Sequence, residues 1–245
     1  MTAIHDFETL VAREAATVLE SMPSEQWETL EDRVGLLLNA RAQLREREYG
    51  DRREDFVRRL FLEFTEISES WNRLHEISRY VARFPYGDTG ISKTAHLCYH
   101  VENYLSEVYI LRNRLEAYLK ALNRLYKLDP RSERVRQITG VLNDLLPATF
   151  DRTIGIRGKH VHRQRYTDAD LEKLRTLELL KDDSPYWENK YEAVYREIRR
   201  VKRLWIDRTN RYIERRLETY FSYLAQLLFS LDGQMILPER LRESA

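Results

Sequence analysis

The feature of this sequence that most constrains its fold is an unbroken run of apolar residues at alternating spacings of four and three. The run covers about four heptads. It consists of Leu97, Val101, Tyr104, Val108, Leu111, Leu115, Tyr118, Leu122 and Leu125. Because this spacing puts every member on one side of a helix, that side must be buried against another long helix. We therefore predict a long helix over about 91–128 that ends at Asp129-Pro130.

The end of the chain carries two further runs with the same spacing. The first contains Trp187, Tyr191, Val194, Ile198, Val201 and Trp205, and the second contains Ile213, Leu217, Tyr220, Leu224, Leu227 and Leu231. They predict a second long helix over about 186–231, with Pro185 just inside its start, a position that proline favours. We expect an all-α, multi-helix bundle with these two long helices antiparallel as its spine.

Helix-breaking residues are scarce, with 8 glycines and 6 prolines in 245 residues, and no segment alternates apolar and polar residues for long. Both observations favour helices over strands. Five shorter helices are expected around the two long ones. They cover about 4–19, 24–49, 56–84, 132–146 (ended by Pro147) and 168–181.

The clearest break in the chain is the segment 84–90, which contains Pro85, Gly87 and Gly90. Proline and glycine clustered in this way interrupt helices and often separate domains. We predict an N-terminal helical region over 1–85 and a second helical domain over 86–245. The alternative is one continuous globule.

Charge and cysteine content limit the function classes. The chain has 41 basic and 40 acidic residues, so nucleic-acid binding would require a local basic patch. Cys98 is the only cysteine, which excludes an internal disulfide and fits a reducing compartment. No signal peptide is recognisable, and no stretch approaches the ~18 apolar residues of a membrane span. We expect a soluble, cytoplasmic protein that does not bind membranes.

A local basic patch does occur, after the predicted fifth helix. Asp151 is the only acid between Asp144 and Asp168. The cationic and imidazole side chains of this stretch are Arg152, Arg157, Lys159, His160, His162, Arg163 and Arg165. Arginine can hold phosphate oxygens through parallel hydrogen bonds, and histidine can transfer protons near neutral pH. Together they suit phosphodiester cleavage without a metal.

Within this patch, Arg157 is followed after four residues by His162, in an all-helical chain and downstream of a long amphipathic helix. This resembles the Arg-x(4–6)-His motif of HEPN domains, with Gly158 where the family commonly has asparagine, aspartate or histidine. The likeness covers about 90–231. HEPN domains occur in metal-independent ribonucleases of toxin, antiphage and RNA-processing systems, and usually dimerise so that two motifs share one cleft.

The resemblance implies roles for individual residues. Arg157 would bind or polarise the scissile phosphate, and His162 would be the acid/base group. Lys159, His160 and Arg163 would support them as neighbouring phosphate or proton contacts.

A polar face of the first long helix could complete this site. His96, His100, Asn103 and Glu107 follow spacings of four, three and four, so they share one face beside the apolar run. One interpretation is a solvated flank of the helix. The other is a polar wall facing the motif, in which Glu107 orients Arg157 or His162.

A metal site is a further alternative, because His96 and His100 have the spacing of a helical zinc pair. No acid lies between His160 and His162, however, and no glutamate follows His96 as in zinc proteases. We predict no metal and no cofactor.

Two function classes remain. The first is a HEPN-like RNA-binding protein or metal-independent endoribonuclease, homodimeric and belonging to a toxin or defence system. The second is a non-catalytic helical module that binds and neutralises a protein partner, which the near-zero net charge and Gly158 favour.

Overall fold

A computed structural model describes residues 3–21, 53–85, 87, 90–158 and 168–241. Those residues form six α-helices and a short 3-10 turn at Glu239–Leu241 and contain no β-strand, which confirms the predicted all-α bundle. The helices are α1 Ala3–Ser21, α2 Arg53–Ala82, α3 Lys93–Leu125, α4 Ser132–Gly158, α5 Ala169–Leu180 and α6 Pro185–Leu228. The helix predicted over 24–49 lies outside the described residues. No helix in the described part of the chain combines the length and apolarity needed to cross a membrane.

The contacts divide the chain into two compact units whose limits fall inside helices. Unit 1 comprises Met1–Ser68, Asn113–Leu146 and Arg215–Ala245, and unit 2 comprises Glu69–Arg112 and Pro147–Glu214. The predicted division into 1–85 and 86–245 stays a prediction.

Unit 1 is built around an aromatic cluster. The ring of Phe7 lies 5.2 Å from that of Phe64, 5.2 Å from that of Phe221 and 5.9 Å from that of Phe229, measured between centroids. Phe7 and Phe221 are fully buried. Burial of each such ring contributes about 1.5–3 kcal/mol to stability, so α1 is held to the unit mainly by this cluster.

The C-terminal segment of unit 1 is held by polar contacts. The buried carboxylate of Asp129 accepts hydrogen bonds from the Glu239 backbone N–H at 2.7 Å and from Arg131 Nε at 2.9 Å. Arg131 also donates to the Leu237 carbonyl at 2.6 Å, and the Tyr126 hydroxyl donates to the Ile236 carbonyl at 2.5 Å. These bonds hold the segment after Gly233 in place. Gly233 itself turns the chain with a φ of 72°, which glycine adopts readily.

In unit 2, α3 and α6 run parallel, so the predicted antiparallel spine is wrong. Lys93 Nζ, at the start of α3, lies 2.5 Å from Glu192 Oε1, near the start of α6. Further along both helices, the Tyr104 hydroxyl donates to Asn210 Oδ1 at 2.8 Å. Contacts that advance along both helices together require parallel axes.

The physical reason for this difference lies in α5. Its end contacts the start of α3, where the Ser92 hydroxyl donates to Glu178 at 3.2 Å, and the Tyr191 hydroxyl of α6 donates to Glu178 at the same distance. Its start lies further along α6, where Lys202 Nζ donates to Asp168 at 2.7 Å. Because α5 is antiparallel to both long helices, α6 begins at the same end as α3. Apolar spacing identifies which face of a helix is buried, but not the direction of its partner.

The helix predicted to end at Leu146 instead continues through Pro147 to Gly158 as α4. Proline inside a helix removes one backbone hydrogen bond and clashes with the preceding turn. The second half of α4 is nevertheless held in place, because Phe150 is fully buried and Asp151 pairs with Arg112 of α3 at 3.7 Å. Packing beyond the proline therefore outweighs its cost.

Candidate functional site

The predicted catalytic residues belong to the end of α4 and the segment after it. Arg157 lies in the last turn of α4, in the half of that helix assigned to unit 2. Its side chain lies outside the described part of the structure, as do Lys159, His160, His162 and Arg163. The convergence of Arg157 and His162 on one phosphate therefore stays a prediction.

The residues of the predicted polar wall, His96, His100, Asn103 and Glu107, lie on α3 in unit 2, and all four are buried or partly buried. Glu107 is buried and His100 and Asn103 are partly buried. The carboxylate of Glu107 pairs with Arg73 of α2 at 3.5 Å, while its second oxygen has no hydrogen-bond partner among the described residues. Orientation of Arg157 or His162 by Glu107 stays a prediction.

His96 and His100 form an edge-to-face pair at the start of α3. Their ring centroids are 4.4 Å apart, with an interplanar angle of 70°. The pair is enclosed by two aromatic rings from the region where α2 ends, because Phe84 lies 5.3 Å from His96 and Tyr80 lies 5.3 Å from His100. The sequence placed both histidines on one helical face, and their ring contact follows from that spacing.

Burial controls the charge of this pair. It lowers the pKa of His96, and burial together with neighbouring His96 lowers the pKa of His100 to about 4. Desolvation disfavours the protonated ring, so both imidazoles are neutral at pH 7. A neutral imidazole donates a hydrogen bond from one nitrogen and accepts one at the other, so the pair can bind a polar group and take up a proton.

The histidine pair lines a cavity of about 910 Å³ in unit 2. Sites for small molecules commonly enclose about 300–1,000 Å³. Three arginines share this lining: Arg79 and Arg83 at the end of α2, and Arg203 of α6. We call this set of two histidines and three arginines the arginine–histidine cavity.

The charge of the arginine–histidine cavity is positive. No carboxylate is among its lining residues in the described part of the chain. Arg203 lies 3.8 Å from Asp207, whereas Arg79 and Arg83 form no ion pair within 4 Å with any described acid. Among the described residues these two guanidinium groups have no acid partner, and arginine can bind an anionic ligand through paired hydrogen bonds.

Sequence analysis identified the histidines of this cavity but missed its arginines. Arg79 lies in the last turn of α2 and Arg83 follows the end of that helix, and charged residues at such positions are common on solvated surfaces. Arg203 is more than a hundred residues away from them in sequence and reaches the cavity only because α6 packs in unit 2. No signal local to one segment could have joined the three.

Cys98, next to this region on α3, is a buried thiol. Burial raises its pKa, and Arg175 of α5 contacts its sulfur at 3.6 Å. A thiol with a raised pKa is a poor nucleophile at neutral pH, so Cys98 serves as a buried core residue. In the described ranges no group of three or more histidine, cysteine, aspartate or glutamate side chains is placed to hold a metal ion.

Comparisons of the chain with protein-family models, with curated proteins and with solved structures found no match. The likeness to HEPN domains therefore depends on the Arg157–His162 motif within an all-helical chain.

Proposed function

We propose that this protein is a HEPN-like RNA-binding protein and metal-independent endoribonuclease, acting in the cytoplasm as part of a toxin or defence system. The observation that supports it most is the arginine–histidine cavity. That cavity belongs to the same unit as the half of α4 that ends in Arg157. Cationic donors and neutral imidazoles are the groups that phosphodiester recognition requires.

The proposed reaction uses Arg157 and His162. The imidazole of His162 takes the proton of a ribose 2′-hydroxyl, whose oxygen attacks the neighbouring phosphorus. Arg157 neutralises the charge that develops on the phosphate. The bond from phosphorus to the 5′ oxygen breaks, and His162 of a second copy in a homodimer protonates that oxygen. The products are a 2′,3′-cyclic phosphate and a 5′-hydroxyl.

Removal of either group tests this assignment. We expect Arg157→Ala and His162→Ala each to slow cleavage of single-stranded RNA in EDTA by about 100-fold or more, the usual contribution of a proton-transfer or charge-stabilising group. Rates are measured on labelled RNA, and far-UV circular dichroism checks that helix content is unchanged.

The matched controls are Arg134→Ala and His5→Ala. Arg134 is an exposed arginine near the start of the same helix, outside the basic patch, and His5 is an exposed histidine on α1. Both should cleave at the wild-type rate. Wild-type activity in Arg157→Ala or His162→Ala would refute the assignment.

The second candidate is a non-catalytic module that binds a protein partner. It is favoured by two large apolar side chains exposed in unit 2, Leu179 at 82% and Tyr186 at 66%, because such exposure often marks a contact surface. Failure to bind or cleave any RNA, together with a protein partner that the wild type binds and Leu179→Ser does not, would favour this candidate over the first.

A further inference from the structure

The arginine–histidine cavity has the features of a ligand site rather than of a structural ion-pair network. Structural arginines are usually paired with acids, as Arg131 is with Asp129. Arg79 and Arg83 line a cavity of about 910 Å³ without an acid partner within 4 Å in the described part of the chain. Both are exposed, so their guanidinium groups are accessible from solvent. Solvent screens the repulsion between these exposed like charges, and an anion bound between them would remove it.

An aromatic side chain lies beside these charges. Tyr80 lines the cavity with its ring 5.3 Å from that of His100, and half of its surface is exposed. Tyr99 lies 5.2 Å from His100 and is 63% exposed. Tyrosine rings are usually buried to a greater extent, and an exposed ring beside cationic groups provides a stacking surface for a nucleobase.

We propose that the arginine–histidine cavity binds a nucleoside phosphate, with the phosphate held by Arg79 and Arg83 and the base stacked on Tyr80. A free nucleotide and the terminal nucleotide of an RNA chain share this chemistry. The proposed binding uses neither Arg157 nor His162, and it requires no cleavage. Arginine pairs hold phosphate oxygens and stacking holds the base, so both parts of the ligand contribute to affinity.

Proton uptake should accompany binding. The charged residues that line the cavity around His100 are Arg79 of α2, Arg83 directly after α2, and Arg203 of α6. Asp207 lies beside Arg203 but is not part of the lining. Without a ligand, burial and His96 lower the pKa of His100 to about 4. A bound phosphate places negative charge beside the imidazoles and favours their protonated forms. The pKa of His100 should therefore rise when the ligand binds.

Calorimetric titration of the full chain with adenosine monophosphate, inorganic phosphate and adenosine tests the proposal. We expect Arg79→Gln and Arg83→Gln each to weaken adenosine monophosphate binding by about tenfold or more, the effect of losing a hydrogen bond to a charged group. Tyr80→Leu should weaken adenosine monophosphate binding without affecting inorganic phosphate. The matched control is Arg208→Gln, an exposed arginine of α6 outside the cavity lining, which should bind as the wild type does.

RNA oligonucleotides with a 5′-phosphate or a 5′-hydroxyl distinguish the two sources of the ligand. Tighter binding of the phosphorylated oligonucleotide, dependent on Arg83, identifies an RNA end, whereas binding of adenosine monophosphate alone identifies a free nucleotide. Arg157→Ala should keep adenosine monophosphate binding, so loss of RNA cleavage and loss of this site are separable. Absence of adenosine monophosphate binding at millimolar concentration, or wild-type binding by both Arg79→Gln and Arg83→Gln, would overturn the proposal.

Discussion

His100 shows how burial determines the chemistry of a single side chain. Its imidazole is partly buried, is in contact with the ring of His96 and has an Nδ1 atom without a hydrogen-bond partner among the described residues. Burial and the neighbouring ring disfavour the imidazolium, so the ring stays neutral at pH 7 and can act as an acceptor.

Titration of the histidine ring protons by NMR should give His100 a pKa of about 4. Because the unfolded chain binds this proton near 6.5, the unfolded state carries more protons between pH 4 and 6.5, and the free energy of unfolding rises with pH in that window. His100→Asn should flatten this rise, since asparagine does not titrate. A measured pKa near 6.5 would contradict the burial of the ring.

Sequence analysis predicted the face of α3 that carries His96, His100 and Glu107, because spacings of four and three determine which residues of a helix are neighbours. It could not predict that Glu107 pairs with Arg73, at 3.5 Å. Arg73 belongs to α2, and its position beside α3 depends on the packing of unit 2 and not on either local sequence.

Helix α4 shows how tertiary packing can override a local signal. Pro147 predicted an end to the helix, yet α4 continues to Gly158. The residues after Pro147 include fully buried Phe150 and nearly buried Thr153, whose packing on unit 2 requires the helical conformation. The low helix propensity of proline placed the predicted end of this helix at Leu146, but burial of the residues after Pro147 extends it to Gly158.

Replacement of Pro147 should therefore stabilise the protein. Pro147 is exposed, so Pro147→Ala loses no buried contact and restores a backbone hydrogen bond. We expect the free energy of unfolding to rise by about 1–3 kcal/mol in urea denaturation. Pro185→Ala is the control, because a proline at the first position of α6 is well tolerated and its removal should change little. Destabilisation by Pro147→Ala would show that the proline has a structural role of its own.

The C-terminal segment of unit 1 depends on one carboxylate. Burial raises the pKa of Asp129, but hydrogen bonds from Arg131 and from the Glu239 and Arg131 backbone N–H groups outweigh it and lower the pKa to about 2. We expect Asp129→Ala to reduce the free energy of unfolding by about 2–4 kcal/mol, because buried donors lose their acceptor. Equilibrium denaturation at pH 7 measures this loss.

The stabilisation by Asp129 should also depend on pH. Its folded pKa lies below the ordinary value of 3.8, so the contribution is present above about pH 4 and disappears as the pH falls towards 2. Glu133→Ala is the control, since Glu133 forms an exposed ion pair with Arg136 that contributes at most about 1 kcal/mol. A cost for Asp129→Ala no larger than for Glu133→Ala would contradict the described role.

At the scale of the whole molecule, the sequence predicted the fold class and the approximate extent of the two long helices. Apolar residues spaced by four and three are sufficient for that. The direction of α6 relative to α3 was not predictable in the same way, because it depends on α5. Glu178, near the end of α5, contacts Ser92 at the start of α3, and Asp168, at the start of α5, contacts Lys202 of α6. The chain therefore begins α6 at the same end of the unit as α3.

The candidate site was likewise predictable only where its residues share one helix. Groups on one helix, such as His96 and His100, were identified together, whereas Arg203 joined them only through the packing of α6. A site assembled from three helices requires the contacts between those helices, which local patterns do not contain.

End-group analysis of single-stranded RNA incubated with the protein in EDTA tests the proposed metal-independent cleavage by Arg157 and His162 most directly. The proposed reaction predicts 2′,3′-cyclic phosphate and 5′-hydroxyl ends, strongly reduced with His162→Ala and absent when the substrate lacks 2′-hydroxyls. Products with 5′-phosphate ends, or equal cleavage by His162→Ala, would contradict the claim.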